Sequence, residues 1–347
     1  MGWMQQVFRT RAQSWILASL APGQVRGPGF DGQQPPQPIE ADKHYLRVRL
    51  LSMHVVNVRK GIERFYGAVH SYASLPHPDG SGRAEFNVLV APSQLQNVDA
   101  KRIDRVVQVS QTLFGPVPYR GGALELEAGL FSVQSADLTA PFLGLLESLS
   151  RTAGVAFVAQ ALPFAEPLKK GIDLLTGSGD PAVLEIGFAA EQWRPRTGVW
   201  VNIRATRATD DAPGDLRVED LTVEGDDYAL RHRGTPVSDY PYMVFEVSAD
   251  TKREAFFEIP DLRRTYGELR EAMRTGKVPE IEEAFAVFRR TALTSGDLLF
   301  EDANRLVERT RAEKDALLSV PAGTRGFKRT PGPQPGLTPL ELVRLYD

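Results

Sequence analysis

The stretch from Tyr119 to Gly177 most constrains what this chain can fold into, because its apolar period changes within one continuous block. From Ala123 to Val133, apolar and acidic residues alternate as in a half-buried strand. Further on, apolar residues recur with helical spacing. They form two stripes: Leu138, Phe142, Leu145, Leu146 and Leu149, then Phe164, Leu168, Ile172 and Leu175. The block therefore predicts a strand followed by a helical pair at about 138–176.

Strand-like runs lie on both sides of this block. They occupy 45–58, 66–75, 85–90 and 103–114 before it, and 183–189 and 199–205 after it. Strands, then helices, then strands, with no repeated strand–helix–strand unit, favour an α+β fold over a doubly wound parallel sheet. We expect residues 41–207 to form an antiparallel β-sandwich-like domain with an inserted helical pair.

Residues 208–320 predict a second β-rich unit followed by a helical segment. The hairpin has its turn at 224–227, and a second pair of strands is expected at 242–247 and 255–259. Three further stripes then recur with helical spacing, within 262–273, 281–288 and 299–307. They predict three C-terminal helices.

Both ends of the chain predict short apolar peptides on tethers. Residues 1–40 are expected to hold an N-terminal helix and a linker rich in Pro, Gly and Gln, and residues 321–347 a Pro/Gly linker and a short helix. Their apolar residues are the candidate partner-binding residues: Trp3, Val7, Trp15, Ile16, Leu340, Leu342, Val343 and Leu345. Deleting 1–38 or 322–347 is expected to abolish partner binding and to leave thermal unfolding nearly unchanged.

Composition excludes several classes of function and location. The chain has no cysteine, which excludes disulfides, thiol nucleophiles and Cys-ligated metals. A net charge of −3 gives no general attraction to nucleic acid.

No uninterrupted apolar run approaches the roughly 18 residues of a spanning helix, so a membrane partner is not expected. The N-terminal apolar run is too short and interrupted for a typical signal peptide, which favours a soluble, cytoplasmic protein over a secreted one. The abundance of arginine suggests a bacterial source.

The sequence identifies no catalytic residues and predicts no cofactor. Its five histidines have no zinc-site spacing, and no nucleophile elbow, phosphate-binding loop or dinucleotide fingerprint is present. Clustered carboxylates can bind calcium, although alternating acids on a hairpin more often form its solvated face. The calcium candidates are Asp210, Asp211, Asp215, Asp226 and Asp227.

These observations favour a non-enzymatic protein–protein interaction or scaffold subunit of a bacterial multi-component complex, whose partner is another protein. Two alternatives stay open. One is a hydrolase without a linear motif, and the other is a membrane-active, pore-forming type of effector that uses the central helices.

Overall fold

The computed structural model describes residues 15–27, 30, 35–56, 59–60, 63–76, 83–90, 107–134, 182–205 and 216–319. The chain divides into two compact units, Met1–Thr251 and Lys252–Asp347. The first is β-rich and the second helical, so the predicted α+β class with a C-terminal helical segment is confirmed. The predicted helical pair at 138–176 lies outside the described residues.

The first sheet is fully antiparallel. In spatial order, its strands are Trp15–Ser19 (β1), Gly198–Arg204 (β10), Tyr242–Asp250 (β14), Tyr45–His54 (β3) and Val107–Pro118 (β7). Strands far apart in sequence are therefore neighbours, with β14 lying between β10 and β3.

A second antiparallel sheet contains the long hairpin strands. Its order is Arg59–Lys60 (β4), Glu63–Pro76 (β5), Leu124–Gln134 (β8) and Ala182–Trp193 (β9), with Arg83–Val90 (β6) also paired to β5. The third sheet is small. Its order is Thr235–Pro236 (β13), Ala229–His232 (β12), Leu221–Glu224 (β11) and Val25–Arg26 (β2), and β2 pairs with β11 in parallel.

The first sheet buries apolar side chains on both of its faces. One face contributes Leu46, Val48 and Leu50 to a core shared with the second sheet. The other contributes Leu51 and Val244 to a core shared with the third sheet. This sheet is therefore the middle layer of the unit, and β3 is buried along most of its length instead of alternating between core and solvent.

Two hydrogen bonds tie the middle layer to the third sheet. The Tyr242 hydroxyl accepts from the Leu230 amide at 3.2 Å, and Ser52 Oγ donates to the Tyr228 carbonyl at 2.8 Å. Burial raises the pKa of Tyr242 above its ordinary value. The hydroxyl therefore stays neutral at ordinary pH, and these buried polar groups have partners, as cores require.

Part of the N-terminal prediction is wrong. Trp15–Ser19 is a strand that pairs antiparallel with β10, and not the end of a helix. The predicted linker also contains ordered chain, because β2 pairs with β11 and Pro38 forms a bridge with Arg196. Ile16 is buried in the core between the first and third sheets, so its side chain does not project from a tethered peptide.

The region after the hairpin also differs from its prediction. The hairpin itself is confirmed, since Leu221–Glu224 pairs with Ala229–His232. However, Tyr242–Asp250 pairs with strands of the first sheet and not with 255–259, where Phe256–Glu258 forms a short 3-10 turn. The division between the units at Thr251 accordingly lies well beyond the predicted boundary near residue 208.

The C-terminal unit contains the three predicted helices, Pro260–Thr275 (α1), Val278–Leu293 (α2) and Phe300–Ser319 (α3). Pro260 occupies the first turn of α1, where its missing N–H costs nothing, and Gly276 ends α1 in the left-handed conformation. Each helix buries one stripe, which includes Leu269, Phe288 and Leu306. Tyr266 and Lys314 add polar links, donating to Glu313 at 2.9 Å and to Glu282 at 2.7 Å.

Asp302 ties the start of α3 to the segment before α1. Its carboxylate is 1% exposed and accepts the Arg253 amide at 2.8 Å. Asp302→Ala leaves that buried amide without its acceptor, so we expect a loss of about 1–3 kcal/mol in unfolding free energy. Chemical denaturation followed by circular dichroism measures it. Glu301→Ala, at an exposed position in the same turn, is the control, and equal losses in both variants would contradict the prediction.

Candidate functional site

Among the described strands, β1 is the last one at its side of the first sheet. It pairs on one side with β10, from Trp15 opposite Arg204 to Ser19 opposite Trp200. None of the described strands pairs with its other side. An edge of this kind presents a row of unpaired backbone donors and acceptors.

The register shows which backbone groups point away from the sheet. The Leu20 amide donates to the Val199 carbonyl at 2.9 Å, continuing the β1–β10 register by one residue. Directions alternate along an antiparallel strand, so Ile16 and Ala18 also direct their N–H and C=O groups toward β10. The N–H and C=O groups of Leu17 and Ser19 are therefore directed outward.

A groove of about 480 Å³ follows this segment of chain. Six consecutive residues, from Leu17 to Pro22, line it together with Gln24. The described lining also includes Pro36, Val218 and Glu219. The outward backbone groups and the groove thus belong to one place, which we call the β1 edge site: residues 17–22, Gln24, Pro36, Val218 and Glu219.

Hydrogen bonds fix the parts of the chain that line the groove. Gln24 Nε2 donates to the carbonyls of Val218, at 2.8 Å, and Leu221, at 2.7 Å, while its Oε1 accepts the Ala21 amide at 2.7 Å. At Pro36, the carbonyl accepts from Arg196 Nη2 at 3.0 Å. Because these hydrogen bonds within the unit hold Gln24 and Pro36 in place, the groove is formed before any ligand binds.

The surface of the β1 edge site is mostly uncharged. Strand β1 has the sequence Trp-Ile-Leu-Ala-Ser, without the lysines or prolines that commonly protect open edges. Leu17 is 40% exposed, one of the few large apolar residues so exposed among the described residues. Among the described residues that line the groove, Glu219 carries the charge. The described lining is therefore mainly apolar and uncharged.

The other candidate site residues are distributed as follows. Trp3, Val7, Leu340, Leu342, Val343 and Leu345 lie outside the described residues, as do Asp210, Asp211 and Asp215. The side chain of Trp15 is likewise not described, although its backbone belongs to β1. Partner binding by these residues stays a prediction.

Asp226 and Asp227 are exposed in the turn between β11 and β12. Asp227 accepts the Ala229 amide at 3.3 Å, which supports the hairpin turn. Within the described ranges, no group of three or more His, Cys, Asp or Glu side chains is placed to hold a metal ion. A calcium role for the full set of five candidates stays a prediction.

One fully buried carboxylate of the sheet unit makes contacts between strands. Glu185 on β9 is fully buried and accepts from Ser132 Oγ at 2.5 Å. It also faces the guanidinium of Arg204 on β10, with Nη2 and Oε2 3.9 Å apart. These contacts link β8, β9 and β10.

His54 and His232 make polar contacts between loops and strands. The ring of buried His54 lies 3.0 Å, through Nε2, from the Ser238 carbonyl and packs beside Tyr242. His232 lies 3.8 Å, through Nε2, from Asp220 Oδ2, and the same carboxylate accepts from Arg233 at 2.9 Å. Both arrangements tie loops to strands within the sheet unit.

Sequence reasoning missed the β1 edge because the run from Trp15 to Leu20 is short and apolar. Such runs fit a buried strand and a helix segment equally well. The available signal was the β-branched and aromatic residues followed by Pro22, which ends regular structure.

Comparison with known proteins adds no relative. No protein-family model, curated protein or solved structure matches the chain. Among the described helices, none combines the length and apolar character that crossing a membrane requires. A functional assignment therefore rests on the geometry of the β1 edge site.

Proposed function

We propose that this chain is a non-enzymatic interaction subunit of a bacterial multi-component complex, acting in the cytoplasm, with another protein as its partner. The observation that supports this function best is the β1 edge site, where outward backbone groups, an exposed leucine and a preformed groove coincide. The terminal residues Trp3, Val7, Trp15, Leu340, Leu342, Val343 and Leu345 are further candidate contacts within this proposal.

The unprotected edge gives physical support to this function. Natural proteins blunt open strand edges with charges, prolines or a covering element, because an exposed edge recruits other strands. β1 has no charged residue, and its exposed Leu17 adds a hydrophobic contact that favours association with another strand. A partner protein that covers β1, permanently or under regulation, would prevent unwanted pairing of other strands with this edge.

The test is quantitative co-purification of tagged full-length chain from its native host. In Leu17→Lys, the new ammonium group would have to be desolvated at the interface, so we expect roughly a tenfold or greater loss of recovered partner. Val287→Lys is the matched control, because Val287 is 43% exposed on α2 and Leu17 is 40% exposed.

Both variants are expected to retain their melting temperatures, since they change exposed side chains. A specific, stoichiometric partner that is lost only in Leu17→Lys supports the proposal. The absence of any stoichiometric partner, or equal recovery with both variants, contradicts it. Mass spectrometry of the recovered proteins provides the measurement.

A further inference from the structure

A buried carboxamide lies on β10, on the side chain of Asn202. The residue is 0% exposed, and neither its Nδ2 nor its Oδ1 has a hydrogen-bond partner among the described residues. Its cross-strand neighbours are Leu17 on β1 and Met243 on β14, whose side chains are apolar. Burying a carboxamide without partners costs free energy, so native cores pair such groups with protein or with bound water.

The direction of this side chain follows from its neighbours along β10. Alternate residues of the strand point into the core shared with the third sheet: Val199, Val201 and Ile203. Asn202 therefore points the other way, as do Trp200 and Arg204. Trp200 packs edge-on against Trp193 of β9, with ring centroids 5.1 Å apart. Arg204 Nη1 donates to the Glu185 carbonyl of β9 at 3.2 Å. Asn202 lies between these two contacts and so faces β9.

The part of β9 between these contacts contains small side chains. They belong to Gly187, Ala189 and Ala190. Facing sheets pack about 10 Å apart, and a short asparagine opposite small residues fills less of that gap than two large side chains would. This combination favours a water-sized space beside the carboxamide.

Two more polar atoms on the same face have no hydrogen-bond partner among the described residues. They are Ser19 Oγ and Trp200 Nε1, and both are buried. Ser19 lies directly opposite Trp200 in the β1–β10 register, so the two side chains share a face with Asn202. Such a concentration in neighbouring residues indicates one shared ligand and not separate local defects.

The chemistry of these atoms identifies the ligand. Asn202 Nδ2 and Trp200 Nε1 can only donate, while Asn202 Oδ1 can only accept. A cation cannot accept from the N–H groups, and an anion cannot donate to Oδ1. Water does both, and it is small enough to be held where these atoms are closed to solvent.

We propose that the sheet unit has an internal water site between β10 and β9, in which bound water accepts from Asn202 Nδ2 and Trp200 Nε1 and donates to Asn202 Oδ1. Interior waters of this kind make about three hydrogen bonds each and are part of the fold. The site joins the first sheet to the second and is independent of the proposed interaction function.

The first test is a crystal structure of the full-length chain at a resolution that shows ordered water. We expect water within about 2.7–3.2 Å of Asn202 Nδ2 or Oδ1. Asn202→Leu removes both polar atoms at similar volume, and its crystal structure is expected to lose that water. Asn304→Leu, on α3 in the helical unit, is the matched control and is expected to retain it.

A second test counts long-lived water in solution by magnetic relaxation dispersion of the solvent nuclei. The contribution of internal water is expected to fall by about one molecule or more in Asn202→Leu, and to stay unchanged in Asn304→Leu.

Each outcome decides the inference. Ordered water on Asn202 that disappears in Asn202→Leu supports it. A carboxamide that bonds to a protein group, or that has no ordered water within reach, overturns it. Water that keeps its position and occupancy in Asn202→Leu also overturns it, because Asn202 would not be holding it. If Asn202→Leu fails to fold, the crystal structure of the parent chain decides alone.

Discussion

A chain lacking residues 1–38 is expected to lose the folded sheet unit, and not merely its partner. The deletion removes β1 and β2 and takes four residues from the core between the first and third sheets: Ile16, Leu20, Val25 and Phe30. Burial of each such side chain is worth about 1.5–3 kcal/mol, so the total of about 6–12 kcal/mol is comparable to the stability of a whole domain. This result is opposite to the sequence-based expectation that the deletion leaves unfolding nearly unchanged.

The measurement is thermal unfolding monitored by the β-sheet signal in circular dichroism, with soluble yield as a second readout. Leu20→Ala, at a position 1% exposed, is expected to show a partial version of the effect, about 2–5 kcal/mol. Leu17→Ala on the same segment changes an exposed side chain and is expected to stay within about 0.5 kcal/mol of the parent. A truncated chain that retains a cooperative sheet transition would show that the N-terminal strands are dispensable.

Gly115→Ala is expected to destabilise the sheet unit by about 3–5 kcal/mol, combining left-handed strain with a backbone clash. Gly115 has φ +83°, and an added Cβ would lie 2.1 Å from the Leu46 carbonyl oxygen and 3.0 Å from Arg47 Cα. It lies in β7 where the pairing with β3 changes register, between the Leu46 and Val48 pairs. These neighbours are backbone atoms of a buried strand, so relieving the clash would require the backbone of β3 to move.

Gly234→Ala is the matched control for this variant. Gly234 has a similar φ of +79°, but nothing lies within 4 Å of an added Cβ. It therefore reports the left-handed strain alone, about 1–2 kcal/mol. Urea denaturation of both variants separates the two contributions. If Gly115→Ala cost no more than Gly234→Ala, the close approach of β7 to β3 would be contradicted.

Local patterns were sufficient for the C-terminal helices and for most strands. The stripes at Leu262, Ile281 and Leu299 repeat with helical spacing, and Pro260 and Gly276 mark the ends of α1. Alternation in 124–134 located β8, but the expected half-buried pattern is wrong, because the strand is buried along most of its length, including Glu127. These features depend on residues within a few positions of one another, which is the range that periodicity reports.

The sequence by itself determined the α+β class, the hairpin at 221–232 and the helical C-terminal unit. The tertiary structure alone decided that β14 lies between β10 and β3, that β1 is an edge strand, and that Val218 and Glu219 line the same groove as Leu17. A period of two shows which face of a strand is apolar and leaves its neighbours unspecified, because pairing is chosen by packing between segments distant in sequence. The β1 edge site combines three segments that are distant in sequence, 17–24, Pro36 and 218–219, so no local motif could predict it.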